Sequence, residues 1–395
     1  MGSGIGYLNM TKKIIFVSDF NFRGSGYLNI SVPICDKLSK LGYDIKAVGL
    51  GYTGEEHPFS FSIIPCQGFS DAHAMVNNLV IQWKPDLVIV ALDIPHLDGF
   101  HAGCKKLGVK MIAITPLENA PLTMSWAYIL QQIDKVFFIS QMGADEAIKA
   151  GVEEAEHLVI GMDTVSWRMR TQEEYTKGRE MMNISPDTLV VLTVADNQER
   201  KNLSKAFEIV SKVKNEKNIK VKYILITREN SSVGWKLRDL AMTYNIASEL
   251  MIFERGLPFK ELYLFYAIAD AFLLTSKAEG LCMPVMEAMS VGTPVVTTAC
   301  GAMPELLGDG RGFLMDTEYS MIDPWGNSRR DFPNAENGAN ILSGIALDRV
   351  LSVPADEPIR MTRNKLAREY METRTWDKPI QQLVDAMEKL TNEKI

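Results

Sequence analysis

The sequence has few cysteines, and their spacing excludes the sites that cysteines usually build. The set is odd in number and widely spread over 395 residues, and no two members form a C-x-x-C pair. This predicts neither a disulfide framework nor a structural zinc site. We therefore expect a protein of the reducing cytoplasm. The five positions are Cys35, Cys66, Cys104, Cys282 and Cys300.

Long apolar runs and metal-binding motifs are also missing. No stretch approaches the roughly 20 apolar residues of a membrane-spanning helix, and the first residues lack the charged and then apolar pattern of a signal peptide. Neither H-E-x-x-H nor D-x-D occurs, and His96 and His101 are off the spacing of a helical metal pair. The sequence therefore predicts no metal site. Peripheral contact with a membrane is compatible with this composition.

Basic residues are not in excess. The 42 Lys and Arg residues stand against 49 Asp and Glu residues, which gives a net charge of -7. Such a balance argues against nucleic acid or an anionic membrane as the main partner. Small or neutral substrates are favoured instead. Nothing in the sequence predicts an oligomeric state.

The length and the alternation of apolar segments predict two α/β domains. A chain of 395 residues exceeds one ordinary core and suits two domains of roughly 150 to 200 residues each. Short β-rich runs alternate with helical patterns, which is typical of parallel, doubly wound sheets. The predicted strands are 12–18, 44–48, 61–64, 87–91, 110–114, 135–139, 188–194, 221–226, 250–253, 271–274, 293–296 and 312–315.

Three further segments are predicted around these strands. Residues 171–174 suit a helix cap and first turn. Residues 316–340 form a polar connection that is longer than usual, and are therefore expected to be either functional or mobile. An amphipathic helix follows at 376–390.

The most informative stretch is 276–301, which reads SKAEGLCMPVMEAMSVGTPVVTTACG. It begins as a loop after a strand, and Pro284 is expected to open a helix because proline fits the first helical turn. Glu287 then lies one turn inside and Glu279 lies in the loop. The amides of 280–283 and the positive end of the helix would face the space above the sheet, where they form an anion site. A diphosphate there, with a ribose diol on Glu287 and a hydroxyl-rich group near Glu279, describes a nucleotide sugar.

Two glutamates eight residues apart would by themselves suit an ordinary surface helix, but the surrounding frame is more specific. The pattern S-x-x-E-G-x-x-x-P-x-x-E-A-M-x-x-G-T-P-V-V resembles the donor-site signature of retaining GT-B glycosyltransferases, the large family four with its E-x7-E motif. The resemblance implies that Glu287 holds the ribose hydroxyls. It also implies that Glu279 contacts the sugar or the phosphate side of the donor.

Arg200 and Lys201 lie between a predicted strand and a helix, where cations can bind a diphosphate. A solvated helix start would explain them equally well in isolation. The resembled family usually has a Gly-Arg pair soon after this strand and a lysine about five residues later. Here the pair is replaced by Ala195 and Asp196, while Lys201 matches. Arg200 is the expected substitute for the missing arginine.

Three further positions follow from weaker similarities. Gly24, in a G-S-G turn after the first strand, corresponds to a family loop that faces donor sugar and acceptor, although a plain turn explains it as well. Residues 115–126 resemble a family segment in which Glu118 stands where many members have an active-site histidine, with a simple loop carboxylate as the alternative. Leu257 lies in a loop similar to the family's G-x-V-P, whose backbone meets the nucleotide base.

The resemblance implies a retaining glycosyltransferase with the GT-B fold, two Rossmann-like domains facing a central cleft. The predicted domains are 1–165 for the acceptor, 166–375 for the nucleotide sugar, and a terminal helix at 376–395 that packs back on the first domain. The donor would be a nucleoside-diphosphate sugar, with GDP or UDP favoured. The acceptor would be a glycan, a lipid-linked sugar or another small hydroxyl compound, with no cofactor and no metal required. The implied catalytic residues are Glu279, Arg200, Lys201 and Glu118, and the implied donor-binding residues are Glu287, Gly280, Leu281, Cys282, Met283, Gly24 and Leu257.

Two other classes share this fold. A GT-B epimerase or glycan phosphorylase needs different donor chemistry, and no residue marks the pyridoxal phosphate lysine of a phosphorylase. A non-catalytic protein that binds sugar nucleotides or glycans is the other alternative. The presence of Glu279, Glu287 and Lys201 weighs against it, whereas Asp196 weighs mildly for it.

Overall fold

Two parallel β-sheets organise the structure, a computed structural model that describes residues 12–22, 24–351 and 359–392. The first sheet has seven strands in the order β3-β2-β1-β4-β5-β6-β7. All of its neighbouring strands run parallel. Its strands are β1 (Lys13–Asp19), β2 (Asp44–Leu50), β3 (Ser62–Cys66), β4 (Leu87–Ala91), β5 (Lys110–Thr115), β6 (Lys135–Phe138) and β7 (Ala155–His157).

The second sheet repeats this plan with six parallel strands in the order β10-β9-β8-β11-β12-β13. The strand order reverses direction between β1 and β4 in the first sheet and between β8 and β11 in the second. Ligands of doubly wound sheets bind at such switch points, outside the carboxyl ends of the strands. The strands are β8 (Leu189–Val194), β9 (Val221–Thr227), β10 (Leu250–Glu254), β11 (Ala271–Leu274), β12 (Val295–Thr298) and β13 (Phe313–Met315).

Helices cover both faces of the sheets, so the central strands are apolar on both sides. Along β4, Leu87 and Ile89 enter one hydrophobic core, whereas Val88 and Val90 enter a second core on the opposite face. This explains why the strand reads as a continuous apolar run. The helices are α1 (Leu28–Lys40), α2 (Phe69–Trp83), α3 (Leu97–Leu107), α4 (Met124–Leu130), α5 (Gln141–Lys149), α6 (Gln172–Met181), α7 (Leu203–Asn215), α8 (Leu237–Thr243), α9 (Phe259–Ile268), α10 (Met283–Val291), α11 (Met303–Leu307), α12 (Ala335–Leu351), α13 (Ile359–Thr373) and α14 (Asp377–Asn392).

The long polar connection predicted at 316–340 is an ordered β-hairpin and the start of a helix. The antiparallel strands β14 (Thr317–Ile322) and β15 (Arg329–Pro333) pair with each other and form a small separate sheet. This sheet lies against residues of the first domain. Its sequence is too polar for strand patterning to have revealed it.

The end of the described chain returns to the first sheet. Thr391 on α14 accepts a 2.8 Å hydrogen bond from Lys12 Nζ, and the Gln382 amide donates to the His157 carbonyl at 3.3 Å. Trp376 packs over Gly161. The domain limits 1–165, 166–375 and 376–395 stay predictions, and 1–11, 352–358 and 393–395 lie outside the described residues. Within the described part, the helices all fall short of the length and apolar character needed to span a bilayer.

Candidate functional site

A cavity of about 650 Å³ lies between the two sheets, at the carboxyl ends of their strands. Loops after β1, β4 and β5 form one wall, and loops after β8, β9, β10 and β11 form the other. Both switch points therefore open into the same space. All the implied site residues line it, namely Glu279, Arg200, Lys201, Glu118, Glu287, Gly280, Leu281, Cys282, Met283, Gly24 and Leu257.

The amino end of α10 faces this cavity. The helix begins at Met283, one residue earlier than predicted, with Pro284 in its first turn. Cys282 precedes the helix in a left-handed conformation with φ 72°, which turns the chain sharply from the loop into the helix. The first amides of a helix lack intrahelical partners and carry the positive end of its dipole. This end of the cavity therefore suits an anion.

The loops that follow β8 and β11 are hydrogen-bonded to each other beside that helix. Arg200 and Lys201 lie in a short 3₁₀ helix, Glu199–Lys201, between β8 and α7. The Arg200 carbonyl accepts a 2.9 Å bond from the Lys277 amide, and the Arg200 guanidinium donates to the Ala278 carbonyl at 2.6 Å. These bonds place both cations against the loop that carries Glu279.

Glu279 is buried between the two cations. Its carboxylate lies 2.6 Å from Lys201 Nζ and 3.1 Å from Arg200 Nη1. Burial raises the pKa of Glu279, but the positive charges of Lys201 and Arg200 outweigh it and lower the pKa to about 2. Glu279 is therefore ionised at neutral pH. The two predicted phosphate ligands thus already have a carboxylate partner.

Glu118, from the first domain, extends this set of charges. One carboxylate oxygen of Glu118 lies 2.7 Å from Arg200 Nε, and the other accepts from Arg330 Nη1 at 2.8 Å. Arg330 belongs to strand β15. Because Glu118 contacts a cation on each side, it couples the two domains at the cavity. The sequence did not indicate Arg330 as part of the site.

Glu287 is surrounded quite differently. It is 4% exposed, and its described hydrogen-bond partner is the Tyr266 hydroxyl, at 2.7 Å. Burial raises the pKa of Glu287 to about 7, against a smaller lowering by the Tyr266 bond. The two glutamates are thus separated by environment, since one is fixed as a carboxylate and the other titrates near neutrality.

Asp196, which replaces a family arginine, holds two arginines at the cavity wall. Arg228 Nε donates to its carboxylate at 2.7 Å, and Arg255 Nη1 lies 3.2 Å from it. Burial raises the pKa of Asp196, and the two guanidinium groups lower it further than burial raises it. Sequence reasoning missed both arginines. Arg228 directly follows β9 and Arg255 directly follows β10, and that position is the signal that could have identified them.

The first-domain wall is acidic and polar. Asp93, at the end of β4, accepts a 2.7 Å hydrogen bond from the Tyr27 hydroxyl. Burial raises the pKa of Asp93. Gly24 has φ +105°, and a Cβ at this position would lie 3.3 Å from Arg255 Nε of the other wall. This glycine therefore permits a close approach of the two walls.

Two glycines of the second domain also meet the first domain. A Cβ at Gly280 would lie 2.6 Å from the Pro116 side chain. Gly301 has φ +52°, and a Cβ there would lie 2.1 Å from the Glu279 carbonyl oxygen and 2.4 Å from the Glu118 carbonyl oxygen. Gly301 thus sits between the loops that carry the two glutamates. Its role was not predicted.

Metal coordination finds no support in the described residues, where His, Cys, Asp and Glu do not gather in groups of three or more suited to an ion. The charged groups of the cavity are instead arranged as cation and carboxylate pairs.

Comparison with known families finds a match in the region of the second sheet. Residues 176–322 match the family described as Glycosyl transferases group 1. The matched stretch spans all six strands of the second sheet. The matched stretch contains Arg200, Lys201, Glu279 and Glu287. Glu118 and Arg330 lie outside it.

Two mannosyltransferases are similar in sequence to parts of this chain. The MMP alpha-(1->4)-mannosyltransferase of Mycolicibacterium hassiacum is 25% identical over 183 residues, which are 46% of this chain and 40% of that protein. The O-antigen chain mannosyltransferase B of Escherichia coli is 42% identical over 59 residues, 15% of each protein. The chain therefore spans less than half the length of the curated relatives it matches.

Several solved structures share the fold over nearly the whole chain. A glycosyltransferase from Rickettsia africae superposes with a TM-score of 0.73 at 13% identity, over 98% of this chain and all of that one. Sucrose-phosphate synthase from Thermosynechococcus elongatus superposes with a TM-score of 0.74 at 16% identity, over 97% of this chain and 100% of that one. HepE from Anabaena, in complex with UDP and glucose, superposes with a TM-score of 0.71 at 15% identity, over 96% of this chain and 100% of that one. The expected GT-B fold is thus confirmed.

Proposed function

We propose that this protein is a retaining glycosyltransferase that moves a sugar from a nucleoside-diphosphate donor to an acceptor hydroxyl. One observation carries the proposal. A single cavity between the two switch points is lined by the α10 amino end, the Arg200 and Lys201 cations, and a separate buried carboxylate at Glu287. The helix end and the two cations suit a diphosphate, and the Glu287 carboxylate suits a ribose diol.

Leaving-group stabilisation is the main catalytic effect in this proposal. Negative charge develops on the diphosphate as the glycosidic bond breaks, and preorganised cations and amides stabilise such charge strongly in a water-poor site. Lys201, Arg200 and the amides of 280–283 supply them. Glu279 holds both cations in place beside the reacting sugar. No metal ion is needed to supply charge.

Retention follows from a same-face displacement. The bond between the anomeric carbon and the phosphate oxygen breaks while the acceptor oxygen bonds to that carbon on the same face. The acceptor proton passes to the departing phosphate oxygen. This step requires no carboxylate nucleophile, which suits a cavity where Glu279 and Glu118 are already paired with arginine or lysine.

The donor class is proposed from the site and from the relatives together. The curated relatives are named mannosyltransferases, and the solved HepE structures contain UDP with glucose or UDP-glucose. We therefore favour a hexose on GDP or UDP. The acceptor is proposed to be a glycan, a lipid-linked sugar or another small hydroxyl compound, bound along the first-domain wall.

A donor screen tests this proposal. GDP, UDP, ADP and dTDP are first titrated by calorimetry, and the sugars of the base that binds are then supplied with a mixed panel of acceptors. Acceptor-dependent release of nucleoside diphosphate supports transfer. Epimerised donor would indicate an epimerase, phosphate-dependent cleavage of a glycan would indicate a phosphorylase, and binding without turnover would indicate a non-catalytic protein.

A further inference from the structure

The β14–β15 hairpin belongs to the second domain by sequence but is bonded to the first. The Arg329 amide donates to the Ala120 carbonyl at 3.0 Å, and the Asn119 amide group donates to the Asp331 carboxylate at 2.9 Å. At its turn, the rings of Trp325 and Trp126 lie 6.1 Å apart, edge to face. The hairpin therefore contacts the same loop that carries Glu118.

Arg330 is the side chain that this hairpin directs toward the site. It is 4% exposed, donates to Glu118 at 2.8 Å and lies 3.7 Å from the Asp323 carboxylate across the hairpin. Arg330 does not line the cavity, whereas Glu118 does. Among the residues that line the cavity, its hydrogen-bonded partner is Glu118.

We propose that Arg330 is a positioning residue, which holds Glu118 so that Glu118 in turn fixes Arg200 at the leaving group. The two oxygens of Glu118 are shared between the two arginines, one each. Without Arg330, the carboxylate has one anchor and can rotate, and Arg200 loses a partner of fixed direction. The hairpin thereby makes the leaving-group site of the second domain depend on its contact with the first.

This inference rests on the proposed function, and it lies beyond the matched group 1 stretch, which ends at residue 322. Misplacement of a catalytic group by about 1 Å can cost about a hundredfold in rate. We therefore expect Arg330→Met to lower kcat roughly 10- to 100-fold, with the dissociation constant of the bare nucleoside diphosphate changed less than about threefold. Arg330→Lys, which keeps the charge but not the planar fork, should restore part of kcat.

Two neighbouring variants are matched controls. Arg329→Met removes the adjacent arginine, whose side chain is half exposed and pairs with Asp331. Asn119→Ala removes the adjacent hydrogen bond between the same two segments. Both should keep kcat within about threefold of wild type. Near-ultraviolet circular dichroism of the Trp126–Trp325 pair reports whether the hairpin stays docked in every variant.

A double-mutant cycle decides between positioning and general support of the fold. In a Glu118→Gln background, Arg330→Lys and Arg330→Met should change kcat less than about threefold, because their effect passes through the Glu118 carboxylate. Two results would overturn the inference. One is a loss of kcat from the Arg330 variants that adds to the loss caused by Glu118→Gln, and the other is an Arg330→Met enzyme with wild-type kcat. A wild-type protein that transfers no sugar would instead overturn the proposed function, so the two failures are distinguishable.

Discussion

At the scale of single residues, the cavity is built around alternating charges that span both domains. Arg330, Glu118, Arg200, Glu279 and Lys201 follow one another as cation, carboxylate, cation, carboxylate and cation, with N–O distances of 2.6 to 3.1 Å. Each internal member is shared by two partners of opposite sign. Removing one member therefore changes the charge that its neighbours offer to a ligand.

The terminal cation of this series gives the first prediction. Lys201→Ala should lower kcat for sugar transfer about a hundredfold, equivalent to about 3 kcal/mol, because one charge-stabilising donor is lost from the leaving group. Lys205→Ala is the matched control, since Lys205 lies on α7 and pairs with Glu208 and Glu318 outside the cavity. Steady-state kinetics measures both. Unchanged turnover in Lys201→Ala would remove this loop from the diphosphate site.

The second prediction separates Glu279 from Glu287. Glu279→Gln deletes a negative charge that holds Lys201 and Arg200, so bare nucleoside diphosphate should bind at least as tightly as to wild type. For the complete donor, kcat should fall, because the two cations lose their fixed positions beside the sugar. Calorimetry and saturating-donor assays provide the two readings. Weaker binding of the bare nucleotide with normal kcat would reverse the role assigned to Glu279.

The third prediction concerns the pH dependence of stability at Glu287. Its folded pKa of about 7 exceeds the ordinary value of 4.5, so the folded state holds a proton that the unfolded state releases. The contribution of Glu287 to stability therefore falls as pH rises from about 4.5 to 7. The side chain in Glu287→Gln stays neutral at every pH. As pH rises from about 4.5 to 7, the free energy of unfolding of this variant should therefore increase relative to that of wild type, by up to about 3 kcal/mol. Denaturant unfolding at several pH values measures both proteins. A difference in their free energies of unfolding that does not change with pH would contradict this prediction.

The same group should make nucleotide binding depend on pH. If the Glu287 carboxylate accepts the ribose hydroxyls, nucleotide affinity should weaken as pH falls below about 7, and binding should release protons. The nucleotide's own phosphate also titrates with a pKa near 6, so the informative quantity is the difference between wild type and Glu287→Gln. Calorimetry in buffers of different ionisation enthalpy measures the released protons. An equal release from both proteins would place the ribose elsewhere.

At the scale of elements, the sequence was sufficient to predict those helices and strands that depend on neighbouring residues in the chain. The central strands β4 and β11 are continuous apolar runs, and Pro284 marks the first turn of α10, so these elements were predicted within a residue or two. Thr171 caps α6 as expected, and the structure shows that it does so in a reciprocal capping box with Glu174. β7 was missed because its three residues, Ala155–His157, carry no apolar run.

Elements fixed by tertiary contact were not predicted. The hairpin is exposed along the whole of β14 and has no strand-like alternation there, because its order comes from contacts with the loop around Asn119. For the same reason, Arg330 could not be assigned to the site. The position of an arginine on a polar hairpin becomes meaningful only when the partner 212 residues away is known.

Gly301 gives a prediction about how these elements meet. Gly301→Ala would place a Cβ 2.1 Å from the Glu279 carbonyl oxygen at a positive φ. The crowding should destabilise the protein by roughly 1 to 3 kcal/mol and lower kcat by displacing both glutamate loops. Gly344→Ala is the control, since a Cβ there meets no atom within 4 Å. A Gly301→Ala protein as stable as this control would show that the loops can separate freely.

At the scale of the whole molecule, two similar doubly wound sheets open into one cavity, and the cation and carboxylate pairs cross between them. The sequence predicted the two sheets and some of the residues at their carboxyl ends, such as Glu118 and Arg200, but not Arg228 or Arg255. It could not predict that Glu118 would meet Arg200, because that contact depends on how one domain lies against the other. The group 1 match and the shared GT-B fold agree with this arrangement.

The stereochemistry of transfer tests the central claim most directly. Proton NMR of the first product, formed from the nucleotide sugar that binds and in the presence of excess chelator, reports both the anomeric configuration and the metal requirement. We predict a product with the donor's anomeric configuration, released together with one equivalent of nucleoside diphosphate and at full rate in chelator. An inverted anomer, or turnover that stops in chelator and returns with magnesium or manganese, would contradict a retaining reaction supported by side chains and helix amides alone.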